Sequence, residues 1–411
     1  MPINLNIEPN LRRLRAAVAV AAEGSIARAS VTLHRSPPAT TRAVLELEED
    51  LGVRVFERCR QGLLPTAAGL IALRRIRLAL AQLQLAEQEV ATGAALAQKI
   101  THRQLQAVIA IYEGTTETRA AVSLDISQPA VTRTLRGIEG IVGQSLFYRT
   151  SHGMVPSPHG ELLFRRAKLA LAEIACVGQD LASHDGRVIG RVSIGVLPLC
   201  ATLLVPRAVS RVLDIFPELH VTILEGTYET LREALARGDI DVLVGALRGD
   251  QSDVLQEALF EDELIVVSRS DHSLFAKRHL TLADLAGEQW IAPRQDTPAR
   301  ERFDHMFDTV HLASPKHVVE SGSLATVRAL LLESNRLSVA SPHQLHYELE
   351  SGVLAALPVV TGNTARTIGF ALRADASPTA AVQSFVEQLR AVSTELIKPN
   401  VRTRLLLSSA A

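Results

Sequence analysis

The chain holds 411 residues, 47% of them hydrophobic and 21% charged, which excludes a disordered or fibrous protein and allows two or three domains with cores of their own. No basic leader with an apolar core and cleavage site opens the sequence, and no charge-free apolar run reaches roughly 18 residues, so a cytoplasmic chain with no membrane partner is expected. The net charge of −1 conceals an asymmetry: residues 1–190 carry 22 Lys+Arg against 17 Asp+Glu, and residues 191–411 carry 21 against 27. A basic front half on an acidic back half suits a nucleic-acid arm joined to a separate module.

From the N-terminus, Leu11, Leu14, Val18 and Ala21 recur at helical spacing, and Glu23-Gly24-Ser25 breaks the pattern as a turn. A short helix follows from about Ser25. Ser36 then stands as an N-cap before Pro37 and Pro38, at first helical positions where a missing N–H costs nothing. The helix predicted over Pro37 to Leu51 turns Val44, Leu47 and Leu51 inward and Thr40, Thr41 and Arg42 outward. Gly52 to Pro65 reads as a two-stranded wing with Arg58 and Arg60 at a basic tip, well placed for phosphate. A long helix is predicted from Thr66 to about Val90. Its Leu73, Ile76, Leu80, Leu83 and Val90 form the seam of a helix that pairs with another, and Ala94 to Lys99 read as a loose end.

A shift of 91 residues lays this unit on a second one. Leu105 falls on Leu14, Arg119 on Arg28, Ser127 on Ser36, Arg133 on Arg42, Gly143 on Gly52, Phe147 on Phe56, Arg149 on Arg58, Pro156 on Pro65 and Gly160 on Gly69. Phe164, Ala167, Leu171, Ile174 and Leu181 take the seam positions. Turn glycines, core positions and seam kept in one register mark duplication of a whole unit. Ser127-Gln128-Pro129-Ala130 with Thr132-Arg133, the run Glu139-x-x-Val142-Gly143-x-x-Leu146-Phe147-x-Arg149, and Pro156-x-x-His159-Gly160 resemble the N-terminal winged helix-turn-helix and linker helix of LysR-type transcriptional regulators. In that family one such unit is usual, so the tandem copy is a departure.

The second copy keeps Gln128, whose amide can bond bidentately to adenine in the major groove, where the first has Pro37. Arg133 and Arg136 would reach phosphates or a guanine edge, and Arg149 with His152 would add backbone contacts. The resemblance thus implies DNA contacts from Ser127, Gln128, Pro129, Thr132, Arg133, Arg136 and Arg149, with Ser36, Thr40, Thr41, Arg42, Arg58 and Arg60 as the set in the first copy. That first copy is either a second reader or a cap that touches only phosphate, or no DNA. Linker helices of the family pair between chains. Here the helix at 66–90 could instead pair antiparallel with the one at 157–181 of the same chain, a pseudo-dimer in one polypeptide.

After a polar hinge at Asp185 to Gly190, strands predicted over 192–196, 220–224, 241–245, 264–268, 317–320, 337–340 and 367–372 alternate with helices at about 201–216, 227–237, 323–333, 342–350 and 378–396. The order resembles the co-inducer-binding half of the same family, which shares the two-lobed architecture of periplasmic solute-binding proteins. A ligand then lies between the lobes, where strand ends and helix N-termini point amides inward, a natural site for an anion. On that reading Leu199, Cys200 and Thr202 come from the first strand end, Gly245 from the third, Arg294 and Gln295 from a crossing segment, and Ser321 and Ser323 from a helix start. Thr202 and Ser323 either hydrogen-bond a carboxylate or serve as N-caps, and Arg294 either pairs with it or is a solvated loop charge. Cys200 has no cysteine partner in this half, so it reads as a small pocket-lining residue and not as a redox sensor. The three cysteines form no Cys-x-x-Cys pair, and His305, His311 and His317, six apart, read as loop residues, so neither a metal site nor a disulfide framework is expected. No catalytic or cofactor-cradling motif is present.

The expectation is an α plus α/β chain: tandem winged helix-turn-helix units with linker helices at 1–99 and 100–185, a two-lobed, periplasmic-binding-protein-like α/β effector domain at 191–396, and a tail at 397–411. The lobes would be 191–268 plus 367–396, and 269–366. The resemblance implies a regulator without enzymatic activity, cofactor or metal. It would bind double-stranded DNA as a homo-oligomer (dimer or tetramer), respond to a small-molecule effector of carboxylate type, and leave RNA polymerase as a further partner. The alternative is a small-molecule-binding or enzymatic α/β protein whose N-terminal repeats serve only assembly.

Overall fold

Asn10 opens the first helix by accepting the Arg12 amide; α1 runs Leu11–Glu23, and Gly24 closes it in the left-handed region. The computed structural model describes residues 10–60, 62–90, 95–249, 252–295, 297–316, 318–362 and 364–397. His317, Gly93, Ala94 and the tail beyond 397 lie outside these residues. Two compact units divide between Gly190 and Arg191.

In the first unit, α2 (Ile26–Thr32) and α3 (Pro37–Leu51) complete a helix-turn-helix, and β1 (Phe56–Cys59) pairs antiparallel with β2 (Gly62–Pro65) as the wing. The linker helix α4 (Ala67–Val90) leads to a short α5 (Leu96–Lys99), where a loose end was expected; Leu96 and Ile100 are buried and so hold the chain down. The second copy repeats the plan in α6 (His102–Gly114), α7 (Glu117–Ser123), α8 (Gln128–Val142), the hairpin of β3 (Phe147–Thr150) and β4 (Gly153–Pro156), and the linker helix α9 (Pro158–His184). One continuous core joins the copies, drawing Leu14, Leu47 and Ile76 from the first and Leu105, Ile138 and Ile174 from the second. The two expected domains at 1–99 and 100–185 are therefore one folded body.

The linker helices α4 and α9 pair antiparallel within this chain. Arg75, near the start of α4 and 1% exposed, donates to Glu173 at 2.8 Å and Asp180 at 2.6 Å, late in α9. Arg166, near the start of α9, donates to Gln82 at 2.8 Å and to Glu89 at 3.0 Å, late in α4. Arg75 and Arg166, Gln82 and Glu173, and Glu89 and Asp180 each stand 91 residues apart. The contacts are thus related by a pseudo-two-fold axis, as in a dimer folded from one polypeptide. Seam residues Leu73, Ile76, Leu83 and Val90 are buried with Phe164, Ala167, Ile174 and Leu181, while Leu80 and Leu171 are half-buried.

The second unit contains β5 (Gly190–Val196), α10 (Leu204–Ile215), β6 (Leu219–Glu225), α11 (Tyr228–Arg237), β7 (Val242–Ala246), β8 (Val254–Asp262) and β9 (Ile265–Arg269). After a 3-10 turn at Ser273–Ala276 follow α12 (Leu282–Leu285), β10 (Trp290–Ala292), α13 (Pro298–Asp308), β11 (Val318–Glu320), α14 (Leu324–Glu333), β12 (Leu337–Ala340), α15 (His346–Ser351), β13 (Leu354–Ala356), β14 (Arg366–Arg373) and α16 (Ala380–Ile397). Two five-stranded sheets result, ordered β6-β5-β7-β14-β8 and β11-β10-β12-β9-β13. Two corrections to the expected layout follow. Strand β9 hydrogen-bonds to β12 and β13, so residues 265–269 belong to the second lobe and the crossing falls at Asp262 to Leu264. His305 lies on α13 and not in a loop, since Phe303, Met306 and Phe307 recur at helical spacing and pack against Trp290.

Candidate nucleic-acid interface and effector cleft

On the second winged unit, α8 packs Val131, Leu135, Ile138 and Val142 inward. Gln128, Pro129, Arg133 and Arg136 are exposed on its outer face, and neither arginine has an ion-pair partner among the described residues. Ser127 holds the N-cap position but its exposed hydroxyl makes no cap bond. Beneath this face lies Glu117, a buried carboxylate that sequence reasoning overlooked. Its Oε2 accepts from the Thr132 hydroxyl at 2.9 Å and its Oε1 from the Arg149 guanidinium at 2.7 Å. One buried acid therefore ties the wing to the recognition helix. The two enclose a hollow of about 430 Å³ lined by Arg136, Tyr148 and Arg149 among others.

The first winged unit differs. Thr40, expected outward, is fully buried: its hydroxyl takes a bond from Ser30 at 2.9 Å and gives one to the Ser36 carbonyl at 3.3 Å. It stands where the second copy has the core residue Val131, which is why an outward role is excluded. Thr41 and Arg42 are exposed, but Arg42 donates to Glu46 at 2.7 Å, one turn on. Ser36 is exposed and makes no cap bond. Arg58 and Arg60 are exposed on the wing with no ion-pair partner among the described residues.

In the second unit the parallel strands β5 and β7 end at one edge of their sheet, and β10, β11 and β12 at one edge of theirs. Residues of both lobes meet at a cleft of about 430 Å³ whose lining includes Arg248, Glu261, Glu301, Arg302, Arg366 and Thr367. Asp262 and Arg366 sit where the chain crosses between lobes; Arg366 donates to the buried Asp262 at 3.0 and 3.1 Å, and the Ser341 hydroxyl donates to it as well. His343 lies beside Asp262, and burial pushes its pKa down against the pull of that carboxylate.

Of the expected effector contacts, those of the second lobe gather together. Gln295 donates to Glu320 at 3.1 Å, Ser321 accepts from the Ser323 amide, Ser323 caps α14 at the Thr326 amide, and exposed Arg294 lies beside Gly322. The first-lobe set fares differently. Cys200 is fully buried, and burial with Asp262 nearby pushes its thiol pKa up, so it is a core residue and not part of a pocket wall. A side chain on Gly245 would meet Leu197 at 2.4 Å, so protein and not ligand fills that space. Leu199 is buried, and Thr202 is half-buried in the turn before α10, whose cap position belongs to Leu203. Arg302 could not be reached from sequence because α13 was not foreseen, nor the Asp262–Arg366 pair because β8 was not. Among the described residues no cluster of His, Cys, Asp and Glu could hold a metal ion, and no helix is long and apolar enough to cross a membrane.

The model of a LysR substrate binding domain matches residues 185–394, and that of a bacterial regulatory helix-turn-helix protein of the lysR family matches twice, at 11–70 and 102–161. The chain is 35% identical over 390 residues to the HTH-type transcriptional regulator GalR of Pseudomonas putida, covering 94% of this chain and 98% of that one. It is 28% identical over 301 residues to the HTH-type transcriptional regulator PcaQ of Agrobacterium fabrum, covering 73% of this chain and 97% of the relative. Among solved structures it resembles full-length OxyR from Pseudomonas aeruginosa (TM-score 0.54, 22% identity, 71% of this chain and 95% of that one) and CbnR, a LysR family transcriptional regulator (TM-score 0.53, 20% identity, 72% and 99%).

Proposed function

Because the chain belongs to the LysR family of DNA-binding transcriptional regulators, we propose that its second winged unit reads the operator and that the effector between its lobes is a small anion, a carboxylate. The enzymatic alternative falls away, since a relative matched along 94% of the chain and another matched along 73% of it are regulators. The observation that carries the first part is the outer face of α8, where Gln128, Arg133 and Arg136 are exposed and the two arginines are unclaimed by any carboxylate among the described residues. An amide and two guanidinium groups along the first nine residues of a helix are the donors that major-groove edges accept. Footprinting with wild type, Gln128→Ala and Arg42→Ala tests it. Protection is expected to weaken at defined bases only with Gln128→Ala; equal losses from both variants would sink the assignment.

Support for an anionic effector comes from Arg302, which lines the interlobe cleft without an ion-pair partner among the described residues, and from exposed Arg294 at the β10 end. A charge-assisted bond to either contributes about 1.5–3 kcal/mol. Calorimetric titration with a panel of carboxylates and their neutral amides should find binding confined to the acids, weakened at least tenfold by Arg302→Gln. Amides that bind as tightly as acids would refute it. The effector then acts by favouring one lobe angle, a population shift set by its differential affinity. With the linker helices already paired within the chain, homo-oligomers form through other surfaces. Unchanged association after Arg166→Ala, which loosens the outer end of the α4–α9 seam and leaves the core in place, is the expected result by sedimentation, and a loss of association would refute it.

A further inference from the structure

The two winged units carry their cations in opposite places. We propose that a single chain is a complete but lopsided DNA grip, in which the first unit holds the phosphate backbone through its wing and turn and reads no base. This rests on the reading that the second unit recognises sequence through α8.

The first recognition helix is built against reading. Pro37, Leu45 and Glu49 stand where α8 has Gln128, Arg136 and Gly140. Leu45 is 58% exposed, an apolar side chain offered to an edge that wants donors, and Glu49 presents a carboxylate to a polyanion. Glu46 already occupies Arg42. Over its length α3 holds one arginine against four carboxylates, net −3, whereas α8 holds two arginines against Glu139, net +1.

Its periphery is the reverse. Arg35 in the turn and Arg54, Arg58 and Arg60 around the wing are all exposed, and none has an ion-pair partner among the described residues. Their counterparts are Ile126, Ser145, Arg149 and Ser151, of which only Arg149 is charged, and Glu117 holds it. Ile26 takes the place of Glu117 in the first copy, so nothing draws Arg58 back from solvent. Close by, Arg15 is pushed down to about 10, first by burial and then by Arg35 and Arg12. Phosphate contacts fix position and register but carry no base information, which is the task left to a unit with a basic rim and an acidic helix. The antiparallel α4–α9 pair brings this rim and the α8 reader together in one polypeptide.

The test uses the full chain, a duplex selected by wild type from a random-sequence pool, and the unselected pool. Binding is measured by fluorescence anisotropy across a salt series. Replacing Arg54, Arg58 and Arg60 together by alanine should lower the slope of log affinity against log salt by about 2 to 3, close to one per phosphate released, and leave the selected-to-unselected ratio unchanged. Arg136→Ala should instead cut that ratio roughly 5- to 150-fold. An unchanged slope in the triple variant would overturn the clamp, and a collapsed ratio in it would show that the first unit reads bases and overturn it equally. If Arg136→Ala leaves the ratio intact, the reading of the second unit fails, and with it the division of labour, whatever the triple variant does. All four side chains are exposed, so circular dichroism should report an unaltered fold.

Discussion

The first and second winged units share a backbone plan and differ in surface chemistry, and although exposed pairs such as Arg42 and Arg133 also match, many of the positions at which they agree face inward. Gly69 and Gly160 are one such pair: a Cβ on either would lie 2.0 Å from the carbonyl oxygen of Val55 or Leu146, where the wing passes the linker helix. Glu48 and Glu139 are another, each accepting the amide that opens its wing, from Val55 and from Leu146, at 2.8 Å. Several outward positions diverge, as Pro37 against Gln128 and Leu45 against Arg136 show, and so does one inner position, half-buried Ile26 against buried Glu117. A duplicated fold thus constrains its hidden residues twice and leaves each surface available for a separate task.

The linker seam offers the strongest way to break this comparison. Arg75 is buried with Glu173 and Asp180, whereas Arg166 meets Glu89 nearer the surface. Arg75→Ala leaves Glu173 buried without its cation and should cost about 3–5 kcal/mol in urea unfolding of the full chain. Arg166→Ala should cost about 1 kcal/mol or less. Equal costs would mean that the two ends of the pseudo-dimer are equivalent after all. Next in size, Gly69→Ala and Gly160→Ala should each destabilise by about 1–3 kcal/mol, because a backbone carbonyl has to give way. A neutral result at either glycine would show that the wing is not held against its linker helix.

A transplant sharpens the comparison from the functional side. Giving the first unit Pro37→Gln, Leu45→Arg and Glu49→Gly restores the α8 set on α3. The footprint should lengthen, with about 1–3 kcal/mol of new discrimination per restored base contact. An unaltered footprint would place the cause of silence in the position of the unit and not in these side chains.

Much of this was legible in the sequence, for reasons that particular residues make plain. The register from Ser36 and Ser127 to Gly69 and Gly160 located both copies because turn glycines and core spacing survive without any tertiary information. Thr40 was misplaced because a threonine on a polar helix start reads as outward until Ser30 is seen to bond it. Strand β8 escaped because it is an edge strand paired only with β14, with mixed polar residues and no clean alternation. Without it the Asp262–Arg366 pair and the true crossing at residues 262–264 were out of reach. Strands β10 and β13 are three residues each, below what periodicity can register. The charge inversion between the two units is written in the sequence, yet it gains meaning only once Glu117 is seen to hold Arg149 and Glu46 to hold Arg42.

The smallest effect concerns the cysteines, and it reports on the first wing directly. Cys59 is exposed at the end of β1, beside Arg58 and Arg60, whereas Cys200 is fully buried with its thiol pushed up by burial. Since the thiolate is the reactive form, a maleimide at mildly alkaline pH should label Cys59 in the native chain and Cys200 only after unfolding. If the first wing lies on phosphate, duplex of any sequence should slow the labelling of Cys59, and added salt should restore the rate as counterions displace the arginines. The counterpart of Cys59 is Thr150, so a Thr150→Cys, Cys59→Ser variant reports on the second wing by the same chemistry. Protection there should be greater with the selected duplex than with the pool. A Cys59 rate indifferent to DNA would leave the basic rim a solvated surface and return the whole task of binding to the second unit.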